Sequence, residues 1–260
     1  MAFECINLSV DNDGVALLEL NRPDRLNSFN RQMIAEWMQA LHQIADDSRA
    51  RAMVLTGAGR AFCAGGDASD MTVMQAAGNA ERKKYLWKEI QRIPLAMERL
   101  EIPVIAAVNG TARGAGLDMA LMCDIRMCAQ SSTFAESYIN MGVISGDGGT
   151  WFLPRVVGVS RALEMLWTGC VVDAAEAQRI GIVSRVLPDA EVRAEAMKLA
   201  RSIAAQPPQA VSLMKRAVYH GLSGGTLAGH LDMISSHMAV VFDSPEFNER
   251  LAAFMARAKK

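Results

Sequence analysis

An α/β fold that gives way to a helical C-terminal region is what this 260-residue sequence predicts. Three observations carry the prediction. Short β-rich runs alternate with helical stretches as far as about Arg126. Beyond Thr150 the chain is mostly helical, with one strand-like interruption at 182–186. No Pro/Ser-rich linker or low-complexity tract divides the chain. A composition of 51% hydrophobic and 21% charged residues supplies one substantial core.

The runs 3–10, 15–20, 52–56 and 104–108 read as strands. Between them, 30–45 carries Met33, Ile34, Trp37, Met38, Leu41 and Ile44 at the spacing of one helical face, and 85–100 repeats the pattern through Ile90, Ile93, Met97 and Leu100. From Ala190 onward, amphipathic segments rich in methionine form a packing surface suited to self-association.

A formal net charge of −1 gives no bulk attraction to nucleic acid or to an anionic membrane, so any anionic ligand must be held locally. The five cysteines (Cys5, Cys63, Cys123, Cys128, Cys170) lie in apolar contexts without CxxC or Cys/His spacing, which suits reduced, buried thiols. No apolar run approaches membrane-span length, and the first residues lack a basic region followed by a hydrophobic stretch; a cytoplasmic protein is expected. The histidines His42, His220, His230 and His237 assemble no metal spacing, so no metal site is expected.

Chemistry enters with two glycine-rich segments, 61–67 (AFCAGGD) and 109–118 (NGTARGAGLD). Each follows a short apolar strand and leads toward a helix, whose first N–H groups lack internal partners and sit at the positive end of its dipole. Two such sites form an oxyanion hole, suited to charge build-up on a thioester oxygen as an enolate forms. Either segment taken alone also reads as a tight turn without a ligand.

These segments, together with Asn21-Arg22-Pro23, Arg25-Leu26-Asn27-Ser28, the run 103–110, Cys123-Asp124-Ile125-Arg126, Gly148-Gly149-Thr150, Leu153-Pro154-Arg155, Ala174-Ala175-Glu176-Ala177 and Gly181-Ile182-Val183, occur in an order that resembles the crotonase, or enoyl-CoA hydratase/isomerase, superfamily from end to end. The resemblance implies a crotonase-like ββα superhelix with a helical C-terminal trimerisation region. It divides the chain into a spiral core over 1–195 and an oligomerisation region over 196–260, assembled as a homotrimer or a dimer of trimers. It also implies an acyl-CoA thioester substrate, with no separate cofactor because coenzyme A is part of that substrate, and neither nucleic acid nor membrane as partner.

Carried over position by position, the oxyanion donors are the backbone N–H groups of Gly66 and Ala115. The second is normally glycine, and alanine keeps the donor where the backbone suits a β-carbon. Arg25 and Leu26 fall where the family meets the CoA nucleotide end, and Ala64 and Asp67 where backbone meets adenine and pantetheine. Phe254, Arg257, Lys259 and Lys260 resemble a tail that reaches a CoA phosphate, sometimes from a neighbouring subunit. A guanidinium suits a phosphate, although Arg25 also reads as a solvated loop residue and the tail as a frayed basic end.

The acid/base groups depart from the hydratase pattern of two glutamates. Asp118 stands at the first position, one methylene shorter, which changes its reach by about 1.5 Å. Tyr138 stands at the second, with an unperturbed pKa of about 10 that unsuits it as a base near neutral pH. Glu136, two residues earlier, is expected to point to the opposite side of a helical turn. Asp147 has two readings: an N-cap for a helix beginning near Gly148, or a working carboxylate. Trp151 and Phe152 read as core aromatics or as lining of an acyl pocket. With one carboxylate in service, double-bond isomerisation is better supported than hydration, which stays open. The alternative is a catalytically silent acyl-CoA-binding or scaffold member of the family.

Overall fold

The computed structural model describes residues 3–258, so Lys259 and Lys260, expected at a CoA phosphate, lie outside the described residues. The chain opens with an antiparallel hairpin, β1 (Ile6–Val10) and β2 (Val15–Leu20). The strand expected from residue 3 starts only at Ile6. The Glu36 carboxylate takes the N–H groups of Glu4 and Cys5, so the backbone there is bonded to a helix rather than to a neighbouring strand.

That helix, α1 (Arg31–Asp46), is capped by Asn30, whose side chain accepts from the Met33 N–H, and all six residues of the predicted apolar face are buried. Trp37 is entirely inaccessible. Withdrawing roughly 200 Å² of aromatic surface from water is worth about 5 kcal/mol as an upper figure.

Strands then come in pairs, one for each of two sheets. β3 (Ala52–Gly57) is followed by β4 (Ala61–Cys63), β5 (Val104–Val108) by β6 (Thr111–Arg113), and β7 (Ile125–Ala129) by β8 (Thr133–Ala135). With β9 (Val172–Asp173) and β10 (Arg185–Leu187), the first sheet runs β1-β2-β3-β5-β7-β10 and the second β4-β6-β8-β9. All pairs between β2 and β10 in the first sheet are parallel. The strand predicted at 182–186 is β10 and begins later, because the Val183 N–H bonds back to Ala177 and closes the preceding turn.

Helices fill the crossovers. α2 (Ala68–Ala76) and α3 (Asn79–Tyr85) lead through a π-helical turn, Leu86–Ile90, into α4 (Arg92–Arg99). The single helix expected over 85–100 is interrupted there. Pro94 has no N–H to offer the Ile90 carbonyl, and the Gln91 N–H reaches back five residues to Leu86 at 2.8 Å. α5 (Ala115–Leu121) follows β6 and packs on β4 and β6; α6 (Gly149–Val157) packs on α5 and on α7 (Val159–Thr168), and α8 (Ala174–Arg179) packs on β8 and β9.

The last four helices are α9 (Val192–Ala204), α10 (Pro208–Leu222), α11 (Leu227–Phe242) and α12 (Pro245–Ala258). The 195/196 boundary falls inside α9, which packs Val192, Ala196, Ala200 and Ala204 against Val54, Ile105 and Met127 of the first sheet. Small residues repeated every fourth position let that helix lie close to the strands, so α9 is continuous with the core. α10 is latched to it: Lys215 Nζ lies 2.8 Å from Asp124 Oδ2, Tyr219 OH donates to Asp124 Oδ1 at 2.8 Å, and the same aspartate accepts the Val104 N–H. All five cysteines are free thiols, and four of them are buried.

Candidate active site

The two glycine segments meet where β4 and β6 run side by side. A β-carbon on Gly116 would run into the Cys63 carbonyl, with its carbon at 2.8 Å, and one on Gly65 would lie 2.9 Å from the Arg113 carbonyl oxygen and 3.9 Å from the Ala115 nitrogen. Backbone therefore touches backbone, which only glycine allows. Gly66 forms a parallel bridge with Phe29, whose bonds use the Gly65 carbonyl and the Asp67 N–H. The Gly66 N–H faces away from that bridge and donates to no group among the described residues. Ala115 opens α5 behind Gly114 at φ +49, and its N–H likewise has no acceptor among the described residues. Leu26 and Asn27 are the only non-glycine residues described with positive φ, so the alanine β-carbon at 115 imposes no left-handed strain.

A cluster of carboxyls stands beside these donors. Asp118, in the first turn of α5, is wholly buried. Its Oδ2 accepts from Ser145 Oγ at 2.8 Å and lies 2.8 Å from Tyr138 Oη. Tyr138 Oη is also 2.6 Å from Asp147 Oδ2. One phenol hydrogen cannot serve both aspartates at once, so one of these short contacts requires a proton on a carboxyl. Two carboxylates bridged by one phenol oxygen sit roughly 5 Å apart, where their repulsion is about 3 kcal/mol even at an effective dielectric of about 20.

The charges shift accordingly. Burial and the negative charge of Asp118 push the Asp147 carboxyl up to about 7, while the Tyr138 hydrogen bond works in the opposite sense. Burial raises Asp118 as well, opposed by hydrogen bonds from Ser145, Tyr138 and Glu136. Tyr138 is pushed well above its ordinary value by burial and by the two aspartates.

Two of the expected readings are corrected here. Asp147 is not a helix cap: Gly148 occupies that position in α6 without a side-chain cap bond. Glu136 does not point away from Tyr138 but joins the same cluster, fully buried. The backbone is not yet helical at Glu136 (φ −83, ψ 71), and the 3₁₀ turn Ser137–Met141 begins only after it. Outside a helix, residues two apart project to the same side. Ser145 was not anticipated. It accepts the Gly149 N–H and donates to Asp118, and a short polar residue four before a helix start was its only signal. Gly149 has no room for a side chain, because a β-carbon would run into Asp118 Oδ1 and approach Glu136 Oε1 to 2.7 Å and Ser145 Oγ to 2.8 Å.

A cleft of about 380 Å³ reaches Asp147 between the π-helical turn and α6, lined by Trp87, Gln91, Leu95, Trp151 and Phe152. Trp151 is a rim residue rather than core, 53% exposed with the Arg155 guanidinium over its ring. Gln91 Nε2 donates to the Gly146 carbonyl at 2.8 Å and ties the helix to the aspartate's turn.

At the other expected binding region, Arg25 is exposed on a loop held by buried Asn27, which accepts from the Arg22 N–H and donates to the Ala58 and Ala61 carbonyls. Leu26 takes the Ala64 N–H. The Asp67 side chain is committed to structure: it caps α2 through Ser69, which with the Arg22 guanidinium at 2.8 Å holds its carboxyl down at about 2. Phe254 and Arg257 stand exposed on α12, which packs on α11, and no hydrogen bond or ion pair among the described residues joins them to the Arg25 loop. Among the described residues no cluster of His, Cys, Asp and Glu is arranged to hold a metal ion.

The family model for enoyl-CoA hydratase/isomerase matches residues 11–260. The chain belongs to that family. Among curated enoyl-CoA hydratase/isomerase relatives, 1,2-epoxyphenylacetyl-CoA isomerase of Escherichia coli K12 is 36% identical, over 94% of this chain and 93% of that protein. The short-chain-enoyl-CoA hydratase of Clostridium acetobutylicum is 34% identical over 98% and 97% of the two chains. The crystal structure of an enoyl-CoA hydratase from Bacillus anthracis superposes with a TM-score of 0.91 at 32% identity, covering 98% of this chain and 97% of that one. The paired strands and the helical C-terminal region are thus those of the crotonase fold, and the chain is an acyl-CoA-processing enzyme of the enoyl-CoA hydratase/isomerase type.

Proposed function

We propose that this enzyme shifts a carbon–carbon double bond in an enoyl-CoA thioester, with Asp147 moving the proton. The observation that carries the reading is the inequality of the carboxyls: Asp147 lies at the head of the cleft with its carboxyl pushed up to about 7, whereas Asp118 is wholly inaccessible behind it. A group poised near neutral pH is suited both to take and to return a proton.

The thioester oxygen accepts hydrogen bonds from the N–H groups of Gly66 and Ala115, which acidify the adjacent carbon chain and stabilise the enolate. Asp147 removes a proton from the γ carbon of a 2-enoyl ester or the α carbon of a 3-enoyl ester. The electron pair of the broken C–H bond passes into the enolate. Asp147 then delivers the same proton at the other carbon, and the net change is a moved double bond. Tyr138 orients Asp147 and links it to Asp118. Arg25 and Leu26 hold the nucleotide end of coenzyme A, and the backbone at Ala64 and Asp67 meets its adenine and pantetheine. The Escherichia coli relative is named as an isomerase of an epoxyacyl-CoA, which supports isomerisation of a CoA thioester as the general class.

Hydration is the second reading, favoured by Asp118 at the position of the hydratase's first carboxylate and by the Clostridium relative named as a hydratase. Self-association into a homotrimer or a dimer of trimers through α10–α12 is supported by the apolar residues those helices leave exposed, among them Leu227, Leu231, Phe242 and Phe254. Such an assembly would let Phe254 and Arg257 approach a neighbour's coenzyme A. Among the described residues no helix is long and apolar enough to cross a membrane.

The test is incubation in deuterated water with crotonyl-CoA and with a 3-enoyl-CoA, following products by mass. Conversion of the 3-enoyl to the 2-enoyl ester without addition of water is the expected result. A product heavier by one water establishes hydration instead.

A further inference from the structure

Glu136 is a buried carboxyl that the proposed reaction does not use. Neither of its oxygens has a hydrogen-bond donor among the described residues, and the same holds for Asp118 Oδ1. These orphan oxygens are opposed across Gly149, where a single β-carbon would run into both, and no donor is described between them. Two carboxylates facing one another in such a space repel; a carboxylic acid facing a carboxylate supplies the missing donor. The other oxygen of Asp118, Oδ2, is already met by the Ser145 and Tyr138 hydroxyls.

We propose that Glu136 is a positioning residue that stands as a neutral carboxylic acid, donating its O–H to Asp118 Oδ1 and thereby keeping Asp118 ionised as the buried anion behind Asp147. With that bond made, Asp118 has two donors of its own, Glu136 and Ser145, and the single Tyr138 hydrogen is shared between Asp118 and Asp147. The two protons of the cluster then have addresses, one on Glu136 and one exchanging at Asp147. The groups around Glu136 agree. Burial, then the charge of Asp118, its hydrogen bond and the charge of Asp147 push the Glu136 carboxyl up to about 10. The titratable groups facing the set are Asp118 from α5, Tyr138 from the 3₁₀ turn, Asp147 from the turn before α6 and the buried Cys63 thiol of β4; none is a cation.

The consequence is a tuned base. The Asp118 anion raises Asp147 toward neutrality, so whatever keeps Asp118 ionised also sets the pH at which Asp147 works. Glutamine at 136 keeps a donor N–H toward Asp118; leucine keeps the volume and removes the donor.

The inference rests on the acid/base reading of Asp147 for its kinetic part only. The first experiment needs no substrate: infrared difference spectra of the wild type and Glu136→Gln, both recorded at about pH 8. The wild type should show the C=O stretch of a protonated carboxylic acid that the variant lacks. Absence of that band in the wild type overturns the proposal whatever reaction the enzyme catalyses. The second is the pH profile of kcat for 3-enoyl-CoA isomerisation. Glu136→Gln should keep the wild-type acidic limb and its rate within about threefold, whereas Glu136→Leu should move that limb to lower pH by about one unit, because a protonated Asp118 no longer raises Asp147. An inactive Glu136→Gln that still folds by circular dichroism would make Glu136 the base itself and overturn the proposal. An unmoved limb in Glu136→Leu overturns the tuning role. If Glu136→Leu does not fold, the glutamine variant and the infrared band still decide.

Discussion

The two walls of the site are built from different materials. One is backbone: the Gly66 and Ala115 N–H groups, held by contacts in which Gly116 lies against the Cys63 carbonyl. The other is side chain: Asp118 and Asp147, joined through the Tyr138 hydroxyl, with the buried Glu136 carboxyl facing Asp118 across Gly149. A wall of amide N–H groups carries no proton that titrates near neutral pH and is sensitive to bulk. A wall of carboxyls is sensitive to charge and is expected to set the pH dependence of the proposed reaction. The contrast teaches that geometry and protonation in this site are set by different residues and can be perturbed separately.

The largest effect is expected from removing the titrating group alone. Asp147→Asn should lower kcat for isomerisation by about 10² to 10⁴-fold while leaving acyl-CoA affinity nearly unchanged, as read by steady-state kinetics and calorimetry. The same variant reports on stability. Burial raises Asp147 above its unfolded value, so its stabilising contribution is complete below about 3.8 and is lost as pH rises through about 7. The Tm difference should therefore move in the variant's favour from about pH 5 to about pH 8.

Next comes bulk on the backbone wall. In Gly116→Ala the new methyl meets the Cys63 carbonyl and Cβ, the latter at 2.9 Å, so the two donor segments must separate. A displacement of about 1 Å costs on the order of 10²-fold in kcat, and the pH profile should keep its shape. A shifted limb would show that the walls are not independent.

Tyr138→Phe sharpens the comparison from the other side. Its hydrogen bond lowers the Asp147 carboxyl, so its loss should move the acidic limb of kcat to higher pH, with a loss of about tenfold at the optimum. The smallest effect is expected at Gly66→Ala, where the added methyl meets only the flexible Met71 Cε at 3.3 Å. Turnover should stay within about threefold, because side-chain change without displacement leaves the N–H in place.

The backbone wall was partly legible in the sequence: the glycine-rich segments 61–67 and 109–118, each between a strand and a helix, mark free N–H groups, whereas the contact of one segment with the other emerges only in the fold. The α1 face was legible, since a local period fixes which side is buried. The carboxyl wall was only partly so. Asp118, Tyr138 and Asp147 stand out in the sequence, but the direction of Glu136 depends on where the 3₁₀ turn begins, a matter of one residue that no sequence period marks. Ser145 was missed because its role exists only once α6 and α5 are side by side. The interruption at Leu86–Ile90 also escaped the helical period, which reads apolar spacing and not the missing N–H of Pro94.

The latch at Asp124 has a consequence for the order in which the molecule comes apart. One carboxylate holds the Lys215 ammonium, the Tyr219 hydroxyl and the first N–H of β5, so α10 is fastened to a central strand, while α11 and α12 offer no comparable tie to the sheets among the described residues. For the isolated chain, opening from the C-terminus is expected in two stages, with α11 and α12 exchanging their amide hydrogens early and α10 exchanging together with β5, whereas self-association through these helices would protect the first stage. Asp124 is the hinge pin between a part of the chain free to loosen and a part that unfolds only with the whole.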